Sequence, residues 1–403
     1  MVSFDSSLDR IYQYLLISAF FLLPLTVLGN NLAIWSIVII WLVSGGYSKK
    51  IKQIKNNNLA IASIIFFLLH VASLLWTDNL YWGVEIVRKM LPFLLVLPIF
   101  LSISKIENSN YYIGAFLLAI VVSQGISYLI WFGIIEPFKY ATIDNPTPLM
   151  SHISYNPFIA FALYLVLNKL LLGEKMSQIE RAFYTFFALT MTFNMFITAG
   201  RAGQVMFFVA LIVLAFQHFK NSQIKATLIA LLSIVVISFI AYSFSNIFQT
   251  RVDSGLSDIL NYNSNKNTSV GMRITFLINS FTLFLESPIF GVGAGDFPLE
   301  YERINEQYSP EVDLTVQPHN MYLLVLAQLG LIGLCSLASI FYLQFKIATL
   351  AKEQIILNIG IAMPILFLVI MWSDSYLLGH YTSNLFILFS AFIYSNNQSN
   401  DFQ

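Results

Sequence analysis

The sequence predicts an all-α integral membrane protein of about twelve transmembrane helices, with one long outer loop between spans 9 and 10. Of its 403 residues, 57% are hydrophobic and only 10% are charged, against the roughly 25% charged content of soluble domains. Mean hydropathy is +0.73. Apolar residues recur in blocks on the order of 15 to 23 residues, each long enough to cross a hydrocarbon core as a helix. The alternating pattern of a β-barrel is missing, so backbone polar groups inside a bilayer must be satisfied within helices.

Composition also excludes some functions. Twenty-one basic residues balance twenty-one acidic ones, and no basic run suggests nucleic acid. The single cysteine, Cys335, lies in an apolar run where packing is its expected role. No intrachain disulfide and no cysteine metal site can form.

The first apolar run follows "MVSFDSSLDR", which lacks the basic start and small-residue cleavage site of a signal peptide, so a retained helix is expected. Spans are expected near 11–28, 31–45, 59–76, 84–103, 111–133, 154–171, 182–199, 202–219, 226–247, 321–345, 355–373 and 381–395. A tight turn at Gly29-Asn30-Asn31 separates the first two, in competition with one overlong helix. The chain thus divides into 1–247 (helices 1–9), 248–320 (a loop with an amphipathic helix) and 321–403 (helices 10–12 and a tail).

Lys and Arg gather on the cytoplasmic side of short loops. With the N-terminus inside, thirteen fall on that side against four in the short outer segments, Arg88, Lys89, Lys139 and Arg201. Both termini are then cytoplasmic, and the 248–320 loop faces outward. Its early part, "DSGLSDILNYNSNKNTSVGMR", is polar and reads as mobile. The following "ITFLINSFTLFLESPIFGVGAGDF" spaces Ile274, Leu277, Ile278 and Phe281 as a helix lying along the membrane surface, closed by a Gly-rich turn.

Arg201, in "FITAGRAGQVMFF", sits at an outer junction where the charge rule disfavours it. Function and snorkelling to lipid phosphates are the two readings. Gly200 and Gly203 remove side chains on either side, which would let a bulky anion approach the guanidinium and the N–H groups of the next helix. Phosphate suits paired guanidinium donors. Arg273, in "SVGMRITFLINS", opens the amphipathic stretch on the same side, either as a solvated charge or as part of an anion site. His319 and Asn320, in "DLTVQPHNMYLLVLAQLGLIGL", stand where the loop re-enters the membrane. A histidine there is either functional or a cap or headgroup residue, and Asn320 can cap without it. His152, in "MSHISYNPF", is at another outer boundary. It either lines an acceptor path or is simply interfacial, and His70, His218 and His380 are unassigned or expected to pack.

"FITAGRAGQ", "GMRITFLINSFTLFLESPIFGVGAGDF" and "HNMYLLVLAQLGLIGL" together resemble the O-antigen ligase and O-antigen polymerase superfamily of bacterial inner membranes. The first resembles its Arg-containing turn, with Gly200 where many members carry Ser. The second resembles its outer-loop Arg helix, and the third its His-Asn signature, closed by Gly330 and Gly333. The resemblance covers about residues 190–335 and implies a GT-C-like inner-membrane glycosyltransferase with its active site facing the periplasm. The donor it implies is a polyprenyl diphosphate-linked glycan. The acceptor is a lipid A-core sugar hydroxyl in the ligases and the end of another lipid-linked glycan in the polymerases. His319 would then be the general base and Arg201 and Arg273 the diphosphate ligands, with Asn320, Gly200 and Gly203 lining the substrate.

No Asp-x-Asp pair is present, and the pairs Glu300/Glu302 and Glu311/Asp313 read as solvated loop residues, so neither a metal nor another cofactor is expected. "GVGAGDF" is no nucleotide fingerprint without a βαβ unit. A transporter or flippase for the same lipid-linked glycan is the alternative from another class. It would bury charges near the midplane and pair broken helices in two related halves.

Overall fold

Seventeen α-helices and one 3-10 turn, with no strand, make up the regular structure among residues 7–173 and 175–395, which the computed structural model describes. In chain order these are α1 (Ser7–Leu22), α2 (Val27–Val43), α3 (Tyr47–Lys55), α4 (Asn58–Ser73), α5 (Leu80–Leu94), α6 (Val96–Ile103), α7 (Ser109–Trp131), α8 (His152–Leu172) and α9 (Gln178–Phe196). There follow α10 (Arg201–His218), α11 (Gln223–Phe244), α12 (Asn246–Leu260), α13 (Ser269–Glu286), α14 (Phe297–Tyr308), α15 (Met321–Thr349), α16 (Gln354–Ile370) and α17 (His380–Ile393).

A helix occupies each of the twelve expected apolar places. Among the described residues, seven helical stretches are long and apolar enough to cross a membrane: Asn58–Trp76, Leu80–Ile103, Ile106–Trp131, His152–Leu172, Arg201–His218, Gln223–Phe244 and Met321–Thr349. Val27–Val43 and Gln354–Ile370 are apolar but shorter. The 14-residue α17 reaches only about 21 Å at 1.5 Å per residue, short of a hydrocarbon core of about 30 Å.

The first break falls earlier than expected. Pro24 has no N–H to donate and ends the α1 run. Thr26 then starts α2, its carbonyl accepting the Asn30 N–H at 3.1 Å and its hydroxyl the Gly29 N–H at 3.4 Å. Gly29, Asn30 and Asn31 therefore lie inside α2, and the buried Asn30 side chain donates back to the Ala19 carbonyl at 2.9 Å. The outer loop also differs from expectation at its start, because α12 carries helix as far as Leu260. Arg88 and Lys89 lie within α5, where Glu85 takes Arg88 at 2.6 Å and Lys89 at 3.8 Å. Cys335 is exposed on α15 instead of packed.

Packing divides the chain into two compact units. The first comprises the described residues of Met1–Ile40, Lys105–Val252 and Ala348–Ile370. Its centre is α8, buried almost throughout and packed against α7, α9, α10 and α16. Some of its buried polar groups are cross-linked: the Tyr164 hydroxyl and the Gln217 amide each donate to the Asn358 carbonyl at 2.9 Å.

The second unit comprises the described residues of Trp41–Ser104, Asp253–Ile347 and Met371–Gln403. Here α13 and α14 build a core from Phe276, Leu283, Phe297, Tyr301 and Ile304, joined by Val312 of the following segment and by Leu324 and Ala327 of α15. Asn279 centres a buried network, donating to Ser309 Oγ at 2.7 Å and Asn305 Oδ1 at 3.1 Å. On its other side α13 leaves Ile278, Phe281 and Leu285 exposed.

The two glycine-rich stretches of this unit fit each other. α15 is broken at Gly330 (φ 62°, ψ −159°), which frees carbonyls that a regular helix would give to N–H groups four residues on. Ala327 O accepts Val292 N–H at 2.8 Å and Gln328 O accepts Gly293 N–H at 3.0 Å. The displaced Leu331 N–H donates instead to Pro288 O at 2.9 Å. Gln328 completes the clasp by donating its amide to Ala294 O at 2.7 Å.

Asp296 ties the same turn to the α4–α5 junction. Its carboxylate, 3% exposed, accepts the Asp78 N–H at 2.9 Å and the Asn79 N–H at 2.7 Å. Asp296→Ala leaves two N–H groups without acceptors, and we expect a loss of about 2–4 kcal/mol, read as a lowered thermal midpoint. An unchanged midpoint would show that water replaces the carboxylate.

Candidate active site

The histidine at the membrane re-entry is held by the residue after it. Asn320 is fully buried and caps α15, its Oδ1 accepting the Leu323 N–H at 3.0 Å, while its Nδ2 donates to the Trp372 carbonyl at 3.2 Å. Met321 N–H donates to Met371 O at 2.8 Å. These bonds pin the segment between α16 and α17 against the start of α15, and so bring Asp374 to His319. Nδ1 of His319 lies 3.3 Å from Asp374 Oδ1. That Nδ1 is buried with no hydrogen bond formed on it, and the two groups carry opposite charges only when the ring is protonated. Asp374 Oδ1 also accepts the Ser375 N–H at 2.7 Å, which fixes the carboxylate.

His319 has φ 50°, a left-handed conformation uncommon outside glycine but several-fold enriched for His, Asn and Asp. Its ring lies over Phe276, centroids 6.0 Å apart and planes at 24°. Phe276 belongs to α13, and Arg273 sits three residues earlier on the same helical face. Thr268 starts that helix, its hydroxyl accepting the Gly271 N–H at 3.1 Å.

Tyr376 lies two residues after Asp374. Burial pushes its phenol well up and the Asp374 carboxylate adds to this, whereas a hydrogen bond with Ser373 and the Arg273 guanidinium pull the other way. The second unit thus brings Asp374 and Phe276 to His319, with Arg273 one turn before Phe276 on α13.

In the first unit Gly200 caps α10 and Arg201 is its first residue. The flanking glycines have a packing reason. A Cβ on Gly200 would stand 2.6 Å from the His152 carbonyl oxygen, and one on Gly203 would stand 2.6 Å from Pro157 N. They allow α10 to lie against the first turn of α8, and that close approach places His152 beside the Arg201 turn. Asn145 links the two, its amide nitrogen 3.2 Å from His152 Nδ1 and its Oδ1 accepting the Ala199 N–H at 3.0 Å.

Residues 186–338 match the sequence model of a known family, whose description is O-antigen ligase. This stretch is similar to the O-antigen ligase domain. An uncharacterized protein of Haemophilus influenzae is similar, 29% identical over 195 residues, 46% of this chain and 48% of the relative. The match thus spans about half the length of the relative. The matched stretch contains Arg201, Arg273, His319 and Asn320. His152 and Asp374 lie outside it.

Asp374 is the residue that sequence reasoning missed as a partner of His319. Its one signal is an acidic residue in the short polar break "WSDS" between two apolar runs, 55 residues from the histidine it meets. One acid of each loop pair has a basic neighbour: Glu300 takes Arg303 at 2.8 Å and Glu311 takes Lys266 at 2.7 Å. Among the described residues no three of His, Cys, Asp and Glu gather in a metal-binding group.

Proposed function

We propose that the protein is an inverting O-antigen ligase that moves a glycan from polyprenyl diphosphate to a sugar hydroxyl of the lipid A core. The observation that carries this reading is the 3.3 Å approach of Asp374 to His319 Nδ1. A carboxylate at one ring nitrogen orients the imidazole and steadies the imidazolium that forms, and leaves Nε2 as the base. The acceptor oxygen attacks the anomeric carbon opposite the diphosphate, and His319 takes its proton. The bond from that carbon to the phosphate oxygen breaks and its electron pair remains on the diphosphate, which inverts the centre. Arg273, on the α13 face that carries Phe276, offsets charge on the leaving group. Arg201 supplies a second phosphate-binding guanidinium in the first unit. The inner membrane holds the chain with both termini cytoplasmic, and the chemistry occurs on the periplasmic side.

Deletion of the gene tests the reading. Lipopolysaccharide lacking all long chains, with accumulated lipid-linked polymer, is the expected result. Core bearing a single repeat identifies a polymerase instead, and an unchanged ladder with lipid-linked glycan retained inside identifies a flippase.

Arg201→Lys keeps the charge and loses the planar fork, so transfer in a purified donor assay is expected to fall about tenfold or more. Lys139→Ala, a change at an outer loop position, serves as the control at near wild-type rate. Equal rates for wild type and Arg201→Lys would remove paired phosphate binding from that position.

A further inference from the structure

The first unit has an open cavity of about 540 Å³ that none of the assignments above uses, within the range of about 300–1,000 Å³ usual for small-ligand clefts. Three segments form it. One is a tight turn in which Thr142 and Asn145 exchange backbone hydrogen bonds, N–H to carbonyl at 3.1 and 3.2 Å, so that Asp144 is presented at its tip. The second is Ala199, in the turn before Arg201. The third is the first turns of α12, with Asn246, Ile247, Thr250 and Arg251.

The lining chemistry selects a ligand class. A carboxylate and a guanidinium face one cavity, so a simple anion would meet Asp144 and a simple cation would meet Arg251. An apolar ligand would leave both charges, two amides and two hydroxyls desolvated. A neutral polyhydroxylated ring suits this lining: vicinal hydroxyls donate to Asp144 and accept from Arg251, and the Asn246 and Thr250 side chains can do both. Ile247 and Ala199 offer an apolar wall to the C–H face of such a ring. Asn145 carries the cavity toward His152, bonding it with one end of its amide and the Ala199 N–H with the other.

We propose that this cavity is a carbohydrate-binding subsite that holds sugar rings of the acceptor glycan, with Asp144 and Arg251 as its specificity-determining residues. The inference rests on the reading of the chain as a glycosyltransferase. Two glycans carry the required hydroxyls, the lipid A core and the repeat unit of a lipid-linked glycan, and the site should prefer one of them.

The test measures binding, so that it stands apart from turnover. Purified full-length protein in detergent is titrated by saturation-transfer NMR with deacylated core oligosaccharide and, separately, with repeat-unit oligosaccharide from the same organism. Wild type is expected to bind one of them, and Asp144→Asn and Arg251→Gln are each expected to weaken it about tenfold or more, with an unchanged thermal midpoint. Core preferred over repeat unit fits a ligase acceptor, and the reverse fits a polymerase acceptor. Unaltered binding in both variants, or no binding of either oligosaccharide by wild type, overturns the subsite. Failure of the glycosyltransferase reading shows itself separately, as absence of transfer by wild type from polyprenyl diphosphate donor to either intact acceptor.

Discussion

His319→Asn is expected to lower transfer by about 10²- to 10⁴-fold, the usual contribution of a positioned general base, while insertion, thermal midpoint and donor binding stay near wild type. The substitution separates chemistry from conformation. His319 has φ 50°, and asparagine adopts that left-handed region as readily as histidine does, so the backbone is kept. Asparagine also keeps polarity at the membrane surface and cannot accept a proton at neutral pH. Capping is already performed by Asn320, so a capping role for His319 would predict little loss. Asp374→Asn should cost less than His319→Asn, and the double variant should be no slower than His319→Asn alone, since Asp374 acts through the ring. Substantial turnover by His319→Asn would sink the general-base assignment.

Membrane class and helix positions were legible because they rest on local properties, the length and apolarity of each run. The same locality explains the misplaced first break. Gly29-Asn30-Asn31 has turn chemistry, but Pro24 lacks the N–H a helix needs and ends the run first, and Asn30 is used as a buried donor to Ala19. Arg273 and His319 stood out in the sequence by their positions at the ends of loop elements, and in the structure Phe276, one turn after Arg273, stacks on the histidine. Asp374 was not legible, because its approach to His319 depends on the Met321–Met371 and Asn320–Trp372 hydrogen bonds between distant segments. Gly200 and Gly203 were read as room for an anion. The structure uses them to admit α8, a packing constraint set by a helix that begins 48 residues before Gly200.

Gly330→Ala should be the most destabilising change in the second unit, on the order of 3–5 kcal/mol. At φ 62° an added Cβ meets its own backbone unfavourably, a cost of about 1–2 kcal/mol. The larger part comes from outside the residue: that Cβ would stand 2.3 Å from both C and O of Ile289 and 2.7 Å from Phe290 N. These are backbone atoms, held because Pro288 O accepts from Leu331 and because Val292 and Gly293 donate into the broken helix. The turn cannot withdraw without giving up those bonds, and a helix straightened through position 330 would reclaim Ala327 O and Gln328 O and expel it. Either response loosens the core in which Phe276 packs with Leu324 and Ala327, and with it the surface that supports His319. Gly125→Ala is the matched control, since no atom lies within 4 Å of its added Cβ and alanine is the better helix former by about 1 kcal/mol. Thermal unfolding followed by tryptophan fluorescence would compare them, with a large drop expected for Gly330→Ala and none for Gly125→Ala. A Gly330→Ala protein with wild-type midpoint and wild-type transfer would show that the break in α15 forms without the glycine, and that the clasp between the two glycine-rich stretches does not set the site.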